Sequence, residues 1–306
     1  MLHLRAVCPT GQTDAVLRAL RGRAGVAHLV LLPGAAIQPP GDLVEADVVR
    51  EVTDEVLGDL YELGIERTGG ITLEVIDTVL SDAADRAGED APGEGADTVV
   101  WEELLAKTGE ESRLNWTFQA FLTLACLLAA VGVVTNSPIT IVGAMIVGPE
   151  FGPLAAIAVG LALRQWDLVR RAAIALAVGF PSAMVVTAAG TLLFGLFGLF
   201  DRNDVRAANQ VDFVYQVGPF SLIVALLAGA AGMLALTSAK SAALVGVFVS
   251  VTTVPAAGYA VVAAAVGEWG RCLGSLAQLL VNLIGIVVAA WLVLTLSPRR
   301  IPVSTG

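Results

Sequence analysis

The sequence predicts an α-helical integral membrane protein with a small α+β domain at its amino end. Composition is the first sign: of 306 residues, 56% are hydrophobic and 15% charged, a balance typical of chains that cross a bilayer. Charge is the second. Residues 1–113 hold 22 Asp and Glu against 9 Lys and Arg, whereas residues 114–306 hold 6 against 9. The third is that residues 114–298 divide into apolar stretches of about 20 residues, the length that crosses the hydrocarbon core. An acidic amino-terminal part argues against nucleic acid as a partner. Met1 to Cys8 lack the apolar core of an export signal, so this part is expected to face the cytoplasm.

The elements of residues 1–82 follow in order. Leu2 to Cys8 alternates as a strand, and Gly11 to Arg23 carries Val16, Leu17 and Leu20 at helical spacing. Gly25 to Leu32 reads as a second strand. Pro33 to Gly41, with three prolines and two glycines, reads as a loop. Asp42 to Val49 is a third strand, and Thr53 to Leu63 a second helix with Val56, Leu57, Leu60 and Tyr61 on one face. Ile71 to Leu80 is the fourth strand. The order βαββαβ is the ferredoxin-like, split-βαβ arrangement. His3 and His28, the two histidines of the chain, fall in strands and are read as ordinary strand residues.

Residues 83–113 connect the two parts. Ser81 to Ala96 is acidic and rich in Ala and Gly, so a flexible linker is expected. Thr98 to Glu111 reads as a short amphipathic juxtamembrane helix.

Six spans are expected: Trp116–Val134, Ser137–Leu163, Ala172–Phe200 with Pro181 inside, Phe220–Thr237, Ser241–Val266 and Cys272–Leu296. Residues 299–306 form a tail. The loops on the amino-terminal side and their flanks carry Lys107, Arg113, Arg164, Arg170, Arg171, Lys240, Arg299 and Arg300; the opposite side carries Arg202, Arg206 and Arg271. This places both termini in the cytoplasm and the protein in the cell membrane. Spans two and five resemble each other. Gly143 and Trp166 correspond to Gly246 and Trp269, and Pro153 corresponds to Pro255 with a shift of one. Three spans followed by three run in opposite senses, so the expectation is a 3+3 inverted repeat with broken helices two and five.

The run Asn136-Ser137, Ile141-Val142-Gly143-Ala144-Met145, Gly148-Pro149 and Gly152-Pro153, followed by Trp166 and Arg170-Arg171, resembles a prokaryotic family of uncharacterised hydrophobic domains, domain of unknown function 389. The resemblance covers residues 114–200 most specifically and implies no established activity. Family members are mostly apolar between the two prolines, so Glu150 departs from that pattern. The span layout is also similar to that of trimeric intracellular cation channels, whose second and fifth helices are kinked.

Glu150 is the sharpest candidate for function. It lies mid-span in Gly148-Pro149-Glu150-Phe151-Gly152-Pro153. A carboxyl at that depth needs a cavity, a cation or a donor. Prolines free backbone carbonyls, which with one carboxylate make a site for a cation or proton. Thr252 and Thr253, before Pro255 in span five, add hydroxyls. Asn282 and Gln278 of span six face the same region or bond between helices. The expected binding set is Glu150, Pro149, Gly152, Pro153, Thr252, Thr253 and Asn282.

Nucleophile, zinc and phosphate motifs are missing from the sequence, so an enzyme is not expected, and neither is a cofactor. The cysteines Cys8, Cys126 and Cys272 read as packing residues. The expected function is passage of a small solute or ion, with a cation or proton coupling favoured. The alternative is a membrane-anchored sensor or scaffold whose amino-terminal domain binds a ligand or partner. The expected partners are the lipid bilayer, the small solute or ion, and further copies of the chain.

Overall fold

A computed structural model describes residues 1–76, 78–91, 99–201, 205–206, 209–238 and 252–297. Two compact units divide the chain, one built on Met1–Leu104 and the other on Leu105–Leu236 and the later helices.

The first unit contains β1 (Leu2–Cys8), α1 (Thr13–Leu20), β2 (Val26–Ile37), β3 (Pro40–Val48), α2 (Arg50–Glu62), α3 (Ile65–Thr68) and β4 (Gly70–Val75). The strands form one sheet in the order β2-β3-β1-β4. Every neighbouring pair is antiparallel. Inward residues alternate along β1, so Leu2, Leu4, Ala6 and Cys8 are buried against Val16, Leu20, Val56 and Leu60 of the two main helices. This is the βαββαβ order expected from the sequence, with the short α3 added before β4.

Three expectations for this unit are corrected. Pro33 to Gly41 is not a loop: β2 continues to Ile37, β3 starts at Pro40, and Ala36 and Ile37 pair with Gly41 and Pro40 after an irregularity. β2 is an edge strand, where a proline's missing N–H removes no ladder bond on the open side. The fourth strand ends at Val75 rather than Leu80. The third correction concerns the flexible linker, part of which is helix α4 (Asp82–Asp90), capped by Ser81, whose Oγ accepts from the Ala83 amide at 3.2 Å. Ala87 and Ala91 join the core of the unit, and that burial orders a segment whose composition reads as a linker. Residues 92–98 of that linker lie outside the described residues.

α5 (Trp101–Glu111) precedes the helices of the second unit: α6 (Trp116–Val134), α7 (Pro138–Val147), α8 (Phe151–Leu163), α9 (Trp166–Leu196), α10 (Pro219–Thr237), α11 (Thr253–Ala265) and α12 (Trp269–Leu296). A 3₁₀ turn, Asn209–Val214, lies between α9 and α10. Among the described residues, four helices (α6, α9, α10 and α12) are long and apolar enough to cross a membrane. The pair α7 and α8 makes a fifth candidate, bent by 52° at its break. α9 and α12 begin at Trp166 and Trp269, one to two turns before the expected starts. Lys240 and residues 241–251, the first part of the expected fifth span, lie outside the described residues.

Helix ends are set by local chemistry. Asn115 caps α6, its Oδ1 accepting from the Phe118 amide at 2.7 Å. Ser137 caps α7, with Pro138 at the first helical position. Inside α9, Pro181 cannot donate. Ser182 Oγ donates to the carbonyls of Val178 and Gly179, and Gln119 Nε2 of α6 reaches Gly179 O at 3.3 Å.

Close helix approach needs glycine at two places in particular. A Cβ on Gly258 of α11 would stand 2.6 Å from the Ala129 Cβ of α6, and one on Gly229 of α10 would stand 2.5 Å from the Ile286 carbonyl of α12. The helix bounds also recur. α6 and α10 are each 19 residues long, starting at 116 and 219 and ending at 134 and 237. α9 and α12 start at 166 and 269.

Candidate functional site

The break between α7 and α8 is the run Gly148-Pro149-Glu150. Pro149 has no N–H to donate, and it disfavours helical backbone at Gly148, which takes extended dihedrals (φ −65°, ψ 128°). The chain re-enters a helix at Phe151, so Glu150 stands at the start of α8. It is 5% exposed. At this depth a carboxyl is costly without partners.

One partner is present. The Thr253 hydroxyl donates to Glu150 Oε1 in a short hydrogen bond. Thr253 opens α11, so the carboxyl sits at the amino end of a second helix, the end that favours negative charge. Glu150 Oε2 is buried and has no hydrogen-bond partner among the described residues. A Cβ on Gly148 would stand 2.3 Å from that oxygen and 2.8 Å from Val254 Cγ2. Glycine at 148 is therefore what makes room for the carboxylate.

A second polar chain continues from the same helix start. Thr252 Oγ1 accepts from Asn282 Nδ2 at 2.8 Å, and Asn282 Oδ1 accepts from Gln278 Nε2 at 3.1 Å. Gln278 Oε1 and Ser275 Oγ, both buried on α12, lack partners. Hence the start of α11 joins two polar clusters, with Thr253 turned to α8 and Thr252 turned to α12.

The remaining expected residues take supporting places. Pro149 is half-buried at the break. Gly152 and Pro153 are buried in the first turn of α8. A Cβ on Gly152 would stand 2.7 Å from Glu111 Cβ and 2.9 Å from Glu111 Oε2. Thus the end of α5 packs on the first turn of α8. Glu111 is absent from the expected set, and its position at the end of an amphipathic helix gives no sequence sign of this contact. Contact with α8 removes water from Glu111 and pushes its carboxyl above the usual range; Lys107 opposes this and Glu110 adds to it. A cavity of about 340 Å³ opens here, lined by Glu110, Glu111, Arg113, Asn115, Thr117 and Phe118 on one side and Gly148, Pro149 and Gly152 on the other.

The two histidines meet on one carboxylate in the first unit. His3 Nδ1 lies 2.7 Å from Asp47 Oδ1, and His28 Nδ1 lies 2.6 Å from Asp47 Oδ2. His3 stands directly opposite Asp47 in the β1–β3 register. His28 sits at the β2 irregularity with φ of 51°, and its Nε2 is 2.8 Å from the Ser81 hydroxyl that caps α4. Reading each histidine as an isolated strand residue missed this cluster, because only sheet order brings the three strands side by side.

No curated protein and no solved structure matches this chain. A family model does match, over residues 145–288, a stretch that contains Glu150, Thr252, Thr253 and Asn282. It extends well beyond the Asn136–Arg171 run that carries the sequence resemblance. Residues 145–288 of this chain therefore match the model of the family described as Domain of unknown function (DUF389).

Proposed function

We propose that the second unit lets a small cation, or a solute coupled to one, cross the membrane at the α7–α8 break. The observation that carries this reading is the buried Glu150 carboxylate, with one oxygen bound to Thr253 and the other without a partner among the described residues. Intramembrane carboxyls that face a helix break are suited to bind and release a cation or proton. The unit is a six-span 3+3 inverted repeat in the cell membrane, with both termini cytoplasmic. Supporting this are the recurring bounds of α6 and α10 and the shared 103-residue offset of Glu150 and Thr253. Basic residues flanking the spans support the orientation.

The test is flux of potassium or protons in liposomes holding the purified chain. Glu150→Gln keeps the shape and an acceptor for Thr253 but removes the charge. Flux falling by at least ten-fold is the expected result. Wild-type flux and wild-type pH dependence in the variant would sink the role of Glu150.

A second reading rests on His3, His28 and Asp47: the amino-terminal unit acts as a sensor. His28 joins this cluster to Ser81 and so to the cap of α4. Loss of a flux response to changes in solution conditions in His28→Gln supports this reading. Persistence of the same response in His28→Gln would count against it.

A further inference from the structure

The cavity beside the break holds a second carboxylate, and it is lined by Gly148, which adjoins the first. Gly148 lines the cavity, and the free Oε2 of Glu150 occupies the space where a Gly148 side chain would be. On the cavity's other side, Glu111 presses on Gly152, two residues beyond Glu150. Three charged residues line the space: Glu110 and Glu111 against Arg113, a net negative balance. At about 30 Å³ per water, the volume of about 340 Å³ accommodates a cation with its hydration shell. Phe118, Phe121 and Ile146 supply apolar walls that keep the field of the carboxylates from being screened.

We infer that this cavity is the mouth through which a small hydrated monovalent cation reaches Glu150, with Glu111 as the carboxylate that receives it first. The inference rests on the reading of Glu150 as a cation site. It adds a direction, from the α5–α6 elbow inward, and a second binding residue. Charge favours a cation: Glu111 stands at the mouth and Glu150 adjoins Gly148, while Arg113 and Lys107 offset only part of the negative charge of Glu110, Glu111 and Glu150. A divalent ion wants six or more oxygens at short range, and Glu150 is not among the residues that line the cavity with Glu111, so the two do not form one compact cage.

The experiment uses the full chain in liposomes and measures potassium flux before and after a cationic methanethiosulfonate reagent. Thr117 lines the cavity and is exposed, so Thr117→Cys puts a thiol in the mouth. The three native cysteines are buried, which keeps background labelling low. Labelling of Thr117→Cys, verified by mass, is expected to reduce flux at least ten-fold. The same reagent should leave wild-type flux unchanged. Glu111→Gln should raise the potassium concentration for half-maximal flux several-fold. Suppose labelled Thr117→Cys conducts as before while Glu150→Gln still abolishes flux: the mouth is then elsewhere, and the Glu150 reading survives. Equal flux in wild type and Glu150→Gln overturns both. Should Glu111→Gln fail to incorporate, the Thr117→Cys comparison decides alone, because each sample is its own control.

Discussion

Thr253 donates its hydroxyl to the Glu150 carboxylate, and the two residues are 103 positions apart in the chain. The same interval separates both ends of α6 from both ends of α10. The contact therefore joins positions at the same offset as those helix ends. One carries a carboxylate and the other a hydroxyl, so any symmetry of backbone is broken in the chemistry. That asymmetry gives the pair a donor and an acceptor in fixed roles.

Thr253→Val tests the bond itself. Valine keeps the shape, removes the donor and leaves both Glu150 oxygens without a side-chain partner. The cost of orphaning such a group is about 1–3 kcal/mol, expected as a lower thermal midpoint of the detergent-purified chain. Thr253→Ser should retain most of the stability, and an equal loss in both variants would show that the methyl packing matters and the hydroxyl does not.

Gly229→Val tests close packing of α10 on α12. Its Cβ would stand 2.5 Å from the Ile286 carbonyl and 2.7 Å from the Ile286 Cα, and backbone cannot turn aside as a side chain can. Overpacking of this kind costs about 1–3 kcal/mol or more. The variant should lose yield and melt lower, whereas Gly143→Ala, at a position with nothing nearby, should not.

Asp54 gives a pH dependence to the amino-terminal unit. Burial raises its carboxyl to about 6, with the Trp101 amide opposing, Glu102 adding and Arg50 opposing. The folded value lies above the ordinary one, so folding favours the protonated form. Stability is greatest below about pH 4 as far as Asp54 is concerned, and falls as pH rises through about 6. Asp54→Asn should therefore stabilise a fragment of residues 1–104 at pH 8 by on the order of 1–2 kcal/mol, after allowing for its partial exposure. Urea unfolding followed by the fluorescence of Trp101 measures this.

Asp47 acts in the opposite sense. Burial raises its carboxyl, but hydrogen bonds and charge from His28 and His3 outweigh burial and hold it below the usual range. Its stabilisation is present above the unfolded value of about 3.9 and is lost as pH falls through the lower folded value. Asp47→Asn should cost about 1–3 kcal/mol at pH 6 and flatten the acid limb of stability between pH 2 and 5, read from thermal midpoints of the same fragment.

Much of this architecture is legible in the residues, and the exceptions have physical causes. The span Trp116–Val134 is bounded by Asn115 and by the Thr135-Asn136-Ser137 turn, so hydropathy and capping coincide. The break falls at Gly148-Pro149 because proline chemistry is local. Local signals mislead at Pro33, tolerated because β2 is an edge strand, and at Pro40, tolerated because it is the first residue of β3. They mislead again at α4, where three buried alanines, Ala84, Ala87 and Ala91, are ordered by a surface that is distant in sequence. Both Glu150 and Thr253 are legible as candidates near prolines, but their hydrogen bond is a tertiary contact. The contacts of Glu111 with Gly152 and of two histidines with Asp47 depend on tertiary placement that no spacing encodes.

The Gln119 amide that reaches Gly179 across α6 and α9 works as a clip in a low-dielectric setting. Water is scarce in such surroundings, so releasing that clip leaves the Gly179 carbonyl to Ser182 Oγ and the Gln119 amide to Thr123 Oγ1, at the loss of one bond between the helices. Sliding of α6 past α9 is therefore resisted by chemistry as well as by packing. That bond ties the middle of α9 to the first turns of α6 at the level of Pro181.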